Sequence, residues 1–442
     1  MRVIGRGHSA AKKLCSAMNV NVPSKKSFGY LEKKLEAAAS NVASKTMKEA
    51  ALEIRGDSVT EEIAQCGVSV DGTWQRRGYS SLNGCVTVIS IDTGKVLDIE
   101  VMSKVCRICD KKNSEAINSS HTCTKHTGSS GAMEPLGAYR IFERSADMRK
   151  LQYIKFYGDG DSKGYDAVKD VYGKDSVTKY ECIGHIQKRV GTRLRKLKSK
   201  QKGLGGRGKL TDTFIDKLQN YYGIAIRSNV NDLEGMQKAV IAAFFHCCSS
   251  AKQPMHGQCP VGPESWCRYQ QAISNGKKYK EKSKGLPKNV LNSIKPVYMQ
   301  LCDKNLLQKC LHGKTQNANE SFNGILWKFI PKEIFVELST LRLGAYMAVI
   351  QFNKGFEGLL DILRHFGVSL GVFTLKGFAE LDEVRVNESK RHSLPGVKSS
   401  VGPGFSSSQP TSEQFPGIRR NKTSVGPVFS SFQPTTEHVS GI

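Results

Sequence analysis

The stretch "GVSVDGTW", residues 67–74, is the first part of the chain in which apolar and polar side chains alternate as in a β-strand. Two further β-branched runs follow, "GCVTVISI" at 84–91 and "KVLDIEVM" at 95–102, and the turn sequence "DTGK" joins them. Runs of this composition, separated by a short turn that contains glycine, favour antiparallel strands. The sequence therefore predicts a β-meander that begins at Gly67.

Later strand and helix signals extend this meander into a larger sheet. The runs "LQYIKFYGD" at 151–159 and "SVTKYECI" at 176–183 each predict a strand, and a segment with a helical pattern precedes each of them. The resulting order β-β-β-α-β-α-β is typical of an α/β fold with a mixed sheet and helices on its faces.

The composition divides the chain into five segments. We expect a helical lead-in at 1–66, the first part of the sheet core at 67–200 with a Cys/His-rich insert at 103–134, a helical, basic and Cys/His-rich insertion at 201–311, the completion of the core at 312–387, and a tail at 388–442. The tail is rich in Ser, Pro and Gly, and residues 400–418 return with few changes at 424–442. Such a composition predicts disorder.

The charge of the chain indicates its class of partner. Its 442 residues include 66 Lys and Arg against 40 Asp and Glu, a net charge of +26. An excess of this size usually indicates a polyanionic partner, and nucleic acid is the first candidate. No apolar run reaches the roughly 18 residues of a membrane span, and no secretory signal is present, so we expect an intracellular protein without a membrane partner.

Three acidic positions lie where predicted strands or helices end or begin. They are Asp71, Asp159 with its neighbour Asp161, and Glu320. If the strands that carry Asp71 and Asp159 are neighbours, their carboxylates lie side by side and require a cation between them. Oxygen ligands of this kind suit Mg²⁺ or Mn²⁺ in phosphodiester chemistry. The alternative is that each acid only caps a turn or a helix.

Several motifs together resemble a known family of DNA-processing enzymes. They are "VSVDGTWQRRGYSSLNG" at 68–84, "CRIC" at 106–109, "FYGDGDSKGYDAV" at 156–168, "ECIGH" at 181–185, "CPVGPESWC" at 259–267 and "TQNANESFNGILWKFIPK" at 315–332. This combination is similar to the animal type of Mutator-like DDE transposases, and the resemblance covers residues 1–385 approximately. It implies an RNase H-like fold that a helical insertion interrupts, and metal-dependent cleavage and transfer of DNA strands.

The resemblance assigns site residues position by position. It makes Asp71 the first acid, Asp159 or Asp161 the second and Glu320 the third, and Asp159 is preferred because it directly ends the apolar strand. It also matches a C-x-x-H signature to Cys182 and His185, with a buried cysteine and a core histidine as the alternative interpretation.

Two groups of cysteine and histidine residues have the character of metal sites, which a reducing compartment favours over disulfides. The insert carries Cys106-x₂-Cys109-x₁₃-Cys123-x₂-His126, a spacing typical of a structural Zn²⁺ site. His121 is a substitute for His126, and a chance arrangement of free cysteines is the alternative.

The second group lies in the helical insertion and has a less regular spacing. It comprises His246, Cys247, Cys248, His256, Cys259 and Cys267. We consider a second structural Zn²⁺ bound by Cys247, His256, Cys259 and Cys267, with a buried cysteine-rich helical core as the alternative.

A basic segment lies between Cys182 and Thr211, with ten Lys or Arg and no acid. Mutual repulsion predicts an extended or flexible loop after a helix that begins near His185, and we expect it to bind the DNA backbone rather than to be only a solvated face. The residues expected to contact phosphate are Lys188, Arg189, Arg193, Arg195, Lys196 and Lys198.

The residues around Glu320 are unusually rich in amides. Gln316, Asn319 and Asn323 flank the acid at positions that can cap a helix or bond to phosphate or to the surroundings of a metal ion. Trp327 lies two turns after Glu320 on a similar helical face and is expected to anchor this helix to the sheet.

The sequence thus predicts a DDE-type transposase in the nucleus, with Mg²⁺ or Mn²⁺ as catalytic cofactor, structural Zn²⁺, and transposon ends and target DNA as partners. A homodimer is compatible with this prediction. Two alternatives stay open: a domesticated or truncated copy that binds DNA without cutting it, and an RNase H-like nuclease that only hydrolyses.

Overall fold

One five-stranded mixed sheet organises the chain. The computed structural model describes residues 2–56, 63–76, 80–112, 123–159 and 163–393, which belong to the compact unit Met1–Gln409. His121, Asp161 and the repeat at 400–442 lie outside the described residues. The strands are β1 (Ala64–Trp74), β2 (Asn83–Ser90), β3 (Val96–Ser103), β4 (Leu151–Gly158) and β5 (Thr178–Glu181).

The strand order across the sheet is β3-β2-β1-β4-β5. Strands β1, β2 and β3 pair antiparallel, and β4 lies parallel to both β1 and β5. This arrangement confirms the predicted meander, the "DTGK" turn and the mixed sheet. Strand β1 begins at Ala64 and continues past Asp71 to Trp74, so Asp71 lies inside the strand rather than at its end.

Helices make up most of the remaining described structure. They are α1 (His8–Ala17), α2 (Lys25–Arg55), α3 (Arg107–Lys112), α4 (Met133–Arg149), α5 (Lys163–Val168), α6 (Ile183–Lys200), α7 (Asp212–Arg227), α8 (Leu233–Cys248), α9 (Arg268–Ser274), α10 (Lys288–Met299), α11 (Lys304–Gln308), α12 (Asn317–Phe329), α13 (Leu338–Lys354), α14 (Glu357–His365) and α15 (Val372–Ser393). None of the helices in these described ranges is long and apolar enough to cross a membrane.

Side chains along β1 alternate between the two faces of the sheet, and each face packs against different helices. Val68 and Val70 are buried with α4 on one face, in a cluster that also holds Val86 and Phe142. The residues between them point the opposite way, because successive side chains of a strand face opposite sides. On that second face, α2, α12, α13 and α14 share another buried cluster with β2 and β3.

A third hydrophobic cluster holds the helices that precede α12. Ile186, Val190 and Leu194 of α6 pack there with residues of α7, α8 and α10. Helix α6 begins at Ile183, close to His185, where the sequence predicts the start of a helix, and it packs in this cluster.

The last described helix extends into the segment that the sequence assigns to the tail. Residues 388–393 complete α15, although their composition had placed them in the predicted tail.

Candidate active site

Gln316, the residue that precedes α12, joins the two parallel strands that carry the first two candidate acids. Its Nε2 donates hydrogen bonds to the carbonyl oxygens of Val70 (2.9 Å) and Tyr157 (3.4 Å), which belong to β1 and β4. The Gln316 side chain is only 4% exposed. The start of α12 is therefore fixed at the junction of β1 and β4.

Asn319 makes the next contact between α12 and β1, at a fully buried position. Ser69 Oγ donates to its Oδ1 at 2.5 Å, and its Nδ2 donates to the Ser69 carbonyl and to Thr87 Oγ1, both at 3.4 Å. Since a buried polar group without a partner costs about 1–3 kcal/mol, these bonds select one position of the helix on the strand.

Two more contacts continue along the same helical face. Asn323 Nδ2 donates to Asp71 Oδ2 at 2.8 Å, and Trp327 Nε1 donates to Thr73 Oγ1 at 2.9 Å. The contacts of Asn319, Asn323 and Trp327 are four residues apart along the helix, and their partners Ser69, Asp71 and Thr73 are two residues apart along β1, which are the natural repeats of the two elements. We call this set of hydrogen bonds from Gln316, Asn319, Asn323 and Trp327 the polar ladder.

Glu320 lies in the first turn of α12, next to Asn319 of the polar ladder, and its charge acts on the Asp71 carboxylate. Asp159 follows β4, and the parallel register that pairs Ser69 with Tyr157 brings it to the corresponding position of the neighbouring strand. Asp71 is half-buried, whereas the Asp159 and Glu320 side chains are 65% and 47% exposed. Asp161 lies outside the described residues.

The electrostatic state of Asp71 reflects the acids around it. Burial, followed by the Glu134 carboxylate, raises the pKa of Asp71 to about 7; Glu320 adds to this effect and the hydrogen bond from Asn323 opposes it. Asp71 therefore lies near other carboxylates, and a bound proton or cation would reduce the repulsion between them.

Glu134 is a fourth carboxylate of this cleft, and the sequence alone did not indicate it. It lies in the first turn of α4, and its Oε2 is 3.1 Å from where a Cβ on Gly72 would stand. Burial, and then the charge of Asp159, raises the pKa of Glu134. A glycine inside a strand often marks such a close approach, so Gly72 was the available signal.

The C-x-x-H residues connect the second and third acids to α6. The buried Cys182 sulfur accepts backbone N–H groups of His185 and Gln316, and burial raises the pKa of this thiol. His185 Nδ1 lies 3.5 Å from Asp159 Oδ1, and burial lowers the pKa of the His185 ring. Both residues therefore pack at the cleft and link the start of α6 to α12 and to Asp159.

The first basic residues of α6 reach the same acids. Lys188 Nζ is 3.4 Å from Glu320 Oε1, and Arg189 Nη2 is 3.5 Å from Asp159 Oδ1 and 3.2 Å from Glu181 Oε2. The basic segment and the candidate acids are thus direct neighbours.

The rest of the basic segment is helical up to Lys200, so the expected extended loop is wrong for this part. Arg195 forms ion pairs with Asp212 and Asp216, and Lys198 lies 3.1 Å from Asp212. These acids of α7 relieve the repulsion on which the loop prediction depended. Arg193 and Lys196 are exposed on the same helix, and Arg193 also contacts Gln300.

The cysteines of the insert come together. The sulfurs of Cys106, Cys109 and Cys123 all lie within 4.8 Å of one another, and Cys109 and Cys123 are 3.4 Å apart. The structure does not place His126 in this group, and its Nε2 lies 3.0 Å from the Ser129 carbonyl oxygen. His121, the alternative ligand, lies outside the described residues.

The second Cys/His group also forms, with one change of ligand. The side-chain ligand atoms of His246, His256, Cys259 and Cys267 lie within 4.8 Å of one another. Cys247, which the sequence assigned to this group, is buried in the hydrophobic cluster of the helices instead. Consecutive helical residues point about 100° apart, so His246 and Cys247 cannot face the same site.

Comparison with known proteins agrees with this geometry. A family model for Mutator-like transposases matches residues 1–267, and no curated protein matches the chain significantly. The matched part includes Asp71, Glu134, Asp159 and the C-x-x-H residues, while Glu320 lies beyond it. Because the match covers more than half of the chain, the chain belongs to the Mutator-like transposase family.

Proposed function

We propose that this chain is a DDE-type DNA transposase with an RNase H-like core, in which Asp71, Asp159 and Glu320 hold divalent cations. The observation that supports the proposal is the polar ladder, which joins α12 to β1, so that the charge of Glu320 on this helix acts on Asp71. The parallel pairing of β1 with β4 supplies Asp159 at the same edge of the sheet.

The surroundings of the acids fit a hard cation. Gln316 Oε1 and Asn323 Oδ1 are among the buried atoms of the described residues that have no hydrogen-bond partner. Both belong to the polar ladder, whose Asn323 holds Asp71. Carboxylate and amide oxygens are the donors that Mg²⁺ and Mn²⁺ prefer, directly or through their water.

Such cations, when bound, would activate the attacking oxygen and stabilise the leaving oxygen of a phosphodiester. The protein's own residues then have separate tasks. Asn323 orients the Asp71 carboxylate, and Glu134 adds negative charge from the opposite side of β1. Lys188 and Arg189 place positive charge at the rim, where a DNA phosphate would enter.

The exposed side of α6 continues this positive surface away from the acids. Arg193 and Lys196 are exposed there, and they suit the DNA backbone because contacts to phosphate need no particular base sequence. We also propose that Cys106, Cys109 and Cys123 bind a structural Zn²⁺, and that the protein acts in the nucleus, where chromosomal DNA lies.

The test is a cleavage and strand-transfer assay with Mn²⁺ or Mg²⁺ on duplexes that carry the terminal repeats of the element. The wild-type chain should release the ends and join them to a target plasmid, and Glu320→Gln should do neither while still binding DNA. Ser321→Ala, an exposed neighbour on α12, is the matched control and should behave as wild type. Cleavage without joining would support the nuclease alternative, and binding without cleavage by the wild-type chain would support the domesticated one.

A further inference from the structure

We propose that His246, His256, Cys259 and Cys267 bind one structural Zn²⁺ that fixes the connection between α8 and α9. This site lies in the helical part of the chain and does not depend on the proposed strand-transfer function. It differs from the zinc site of the insert in both its ligands and its location.

The spacing of the four ligand atoms fits a tetrahedral ion. Cys267 Sγ lies 3.5 Å from His256 Nδ1, and Cys259 Sγ lies 3.7 Å from His246 Nδ1 and 4.0 Å from His256 Nδ1. Zinc bonds of about 2.3 Å to sulfur and about 2.0–2.1 Å to nitrogen, at the tetrahedral angle, put sulfur and nitrogen about 3.5 Å apart. The observed separations are therefore close to the edges of a Zn²⁺ tetrahedron.

The ligands are also buried in a way that needs an explanation. His256, Cys259 and Cys267 are 3%, 4% and 0% exposed, and these three side chains converge with the half-buried His246. Buried polar groups of this kind normally form hydrogen bonds or bind a metal ion. One zinc ion would give all four side chains a partner.

A carboxylate holds one of the histidines in the orientation that metal binding requires. His256 Nε2 lies 2.9 Å from Glu281 Oε2 and 2.9 Å from Ser249 Oγ, so its Nδ1 remains directed at the two sulfurs. A histidine that binds a metal commonly has a carboxylate on its other nitrogen. Glu281 lies in the lysine-rich stretch "GKKYKEKSKGLPK" at 276–288, where it is the only acid.

Aromatic rings surround the group and limit the access of water. Tyr269 stacks on His256 with ring centroids 4.6 Å apart, and Trp266 packs edge-on against His246 at 4.8 Å. These rings give the group the apolar surroundings of a closed structural site.

The segment that the ion would hold has little other support. Residues 249–267, between α8 and α9, contain no regular helix or strand and include Pro254, Pro260 and Pro263. A metal that joins the end of α8, the loop and the start of α9 would replace the missing hydrophobic core of this connection. Because α8 packs against α7, and α7 in turn packs against α6, the same ion would support, through α7, the helix that carries the basic surface.

The experiment measures zinc per chain in the full-length protein, purified under reducing conditions without chelators. Cys267→Ala should contain one equivalent of zinc less than the wild-type chain. Cys123→Ala should lose the zinc of the insert and keep the zinc between α8 and α9. Cys247→Ala is the matched control, because it removes a buried neighbouring cysteine outside the group and should keep the wild-type zinc content.

A second variant keeps the proposal testable if Cys267→Ala does not fold. Glu281→Gln retains the four ligands and should weaken zinc binding about 10–100-fold in competition with a colorimetric chelator. Cobalt substitution of the wild-type chain should give the absorption of a tetrahedral ion with thiolate ligands. Cys267→Ala should lose the absorption of the ion between α8 and α9, and Cys123→Ala should keep that absorption.

Two results would overturn the proposal. One is a zinc content of folded Cys267→Ala equal to that of the wild-type chain, together with unchanged zinc affinity in Glu281→Gln. The other is a disulfide between Cys259 and Cys267 in protein isolated from cells. Neither result would affect the cleavage assay, so this proposal and the proposed function can fail separately.

Discussion

Replacement of Asn319 with Leu tests the polar ladder at its most buried point. Leu has the same number and branching of side-chain heavy atoms as Asn, so the change removes hydrogen bonds without opening a cavity. Three bonds disappear, one at 2.5 Å and two at 3.4 Å, and Ser69 Oγ and Thr87 Oγ1 are each deprived of a partner in the interior. At about 0.5–1.5 kcal/mol for each bond, the free energy of unfolding should fall by about 2–4 kcal/mol.

The assay is equilibrium urea unfolding followed by tryptophan emission, which Trp327 on the same helix makes sensitive to this region. Ser321→Ala is the control on the exposed side of α12 and should change the free energy of unfolding by less than about 0.5 kcal/mol. Ser69→Ala in the Asn319→Leu background should cost less than in the wild-type chain, because its partner is already gone. A decrease below about 0.5 kcal/mol in Asn319→Leu would refute the idea that these bonds fix α12 on β1.

Three further predictions concern acid stability, the proximity of Glu134 to Gly72, and DNA binding. Burial lowers the pKa of His312 from 6.5 to about 4, so the folded protein favours the neutral ring. This contribution to the free energy of unfolding is present above pH 6.5 and is lost as the pH falls towards 4. His312→Gln should remove on the order of 3 kcal/mol of this loss, as urea midpoints at pH 7 and 4.5 would show. Gly72→Ala should destabilise the protein by about 1–3 kcal/mol, since its Cβ would meet both Glu134 and Trp74 at 3.1 Å, and the melting temperature should recover in part when Glu134→Ala is added, because the contact with Trp74 stays. Replacement of Arg193 and Lys196 with Ala should lower the log–log salt slope of DNA binding by about 0.9 for each phosphate that is no longer neutralised, equally on cognate and scrambled duplexes, and an unchanged slope would make this side of α6 a solvated face.

The sheet could be predicted from sequence because its signals are local. Alternating β-branched runs define β1, β2 and β3, whereas the sequence left open whether β4 lies beside β1. The parallel pairing of β1 with β4 in the structure meets the condition on which the expected proximity of Asp71 and Asp159 depended. The helix that carries Glu320 and the contact of Trp327 with the sheet could also be predicted from the sequence, because they depend on helical spacing.

Other features depend on interactions between distant parts of the chain and left weaker signals. Helix α6 continues to Lys200 because acids of α7 neutralise part of its charge, and the segment alone contains no acid. Glu134 lies on a helix that follows the insert, and Gly72 was the only sequence feature that indicated a close approach to β1. The direction in which His246 and Cys247 point depends on the rotation of α8, which its composition does not determine.

The central claim is that α12 brings Glu320 to Asp71 and Asp159 to complete a site for divalent cations. The most direct test is a Mn²⁺ titration of the full-length chain, with free Mn²⁺ followed by electron paramagnetic resonance. The account predicts saturable binding that weakens at least about tenfold in Asp71→Asn and in Glu320→Gln, a decrease of about 1.4 kcal/mol or more in binding free energy. Glu383→Gln, an exposed acid on α15, should bind Mn²⁺ as the wild-type chain does. Wild-type affinity in Glu320→Gln would contradict the account, because Glu320 would then be only a solvated residue at the start of its helix.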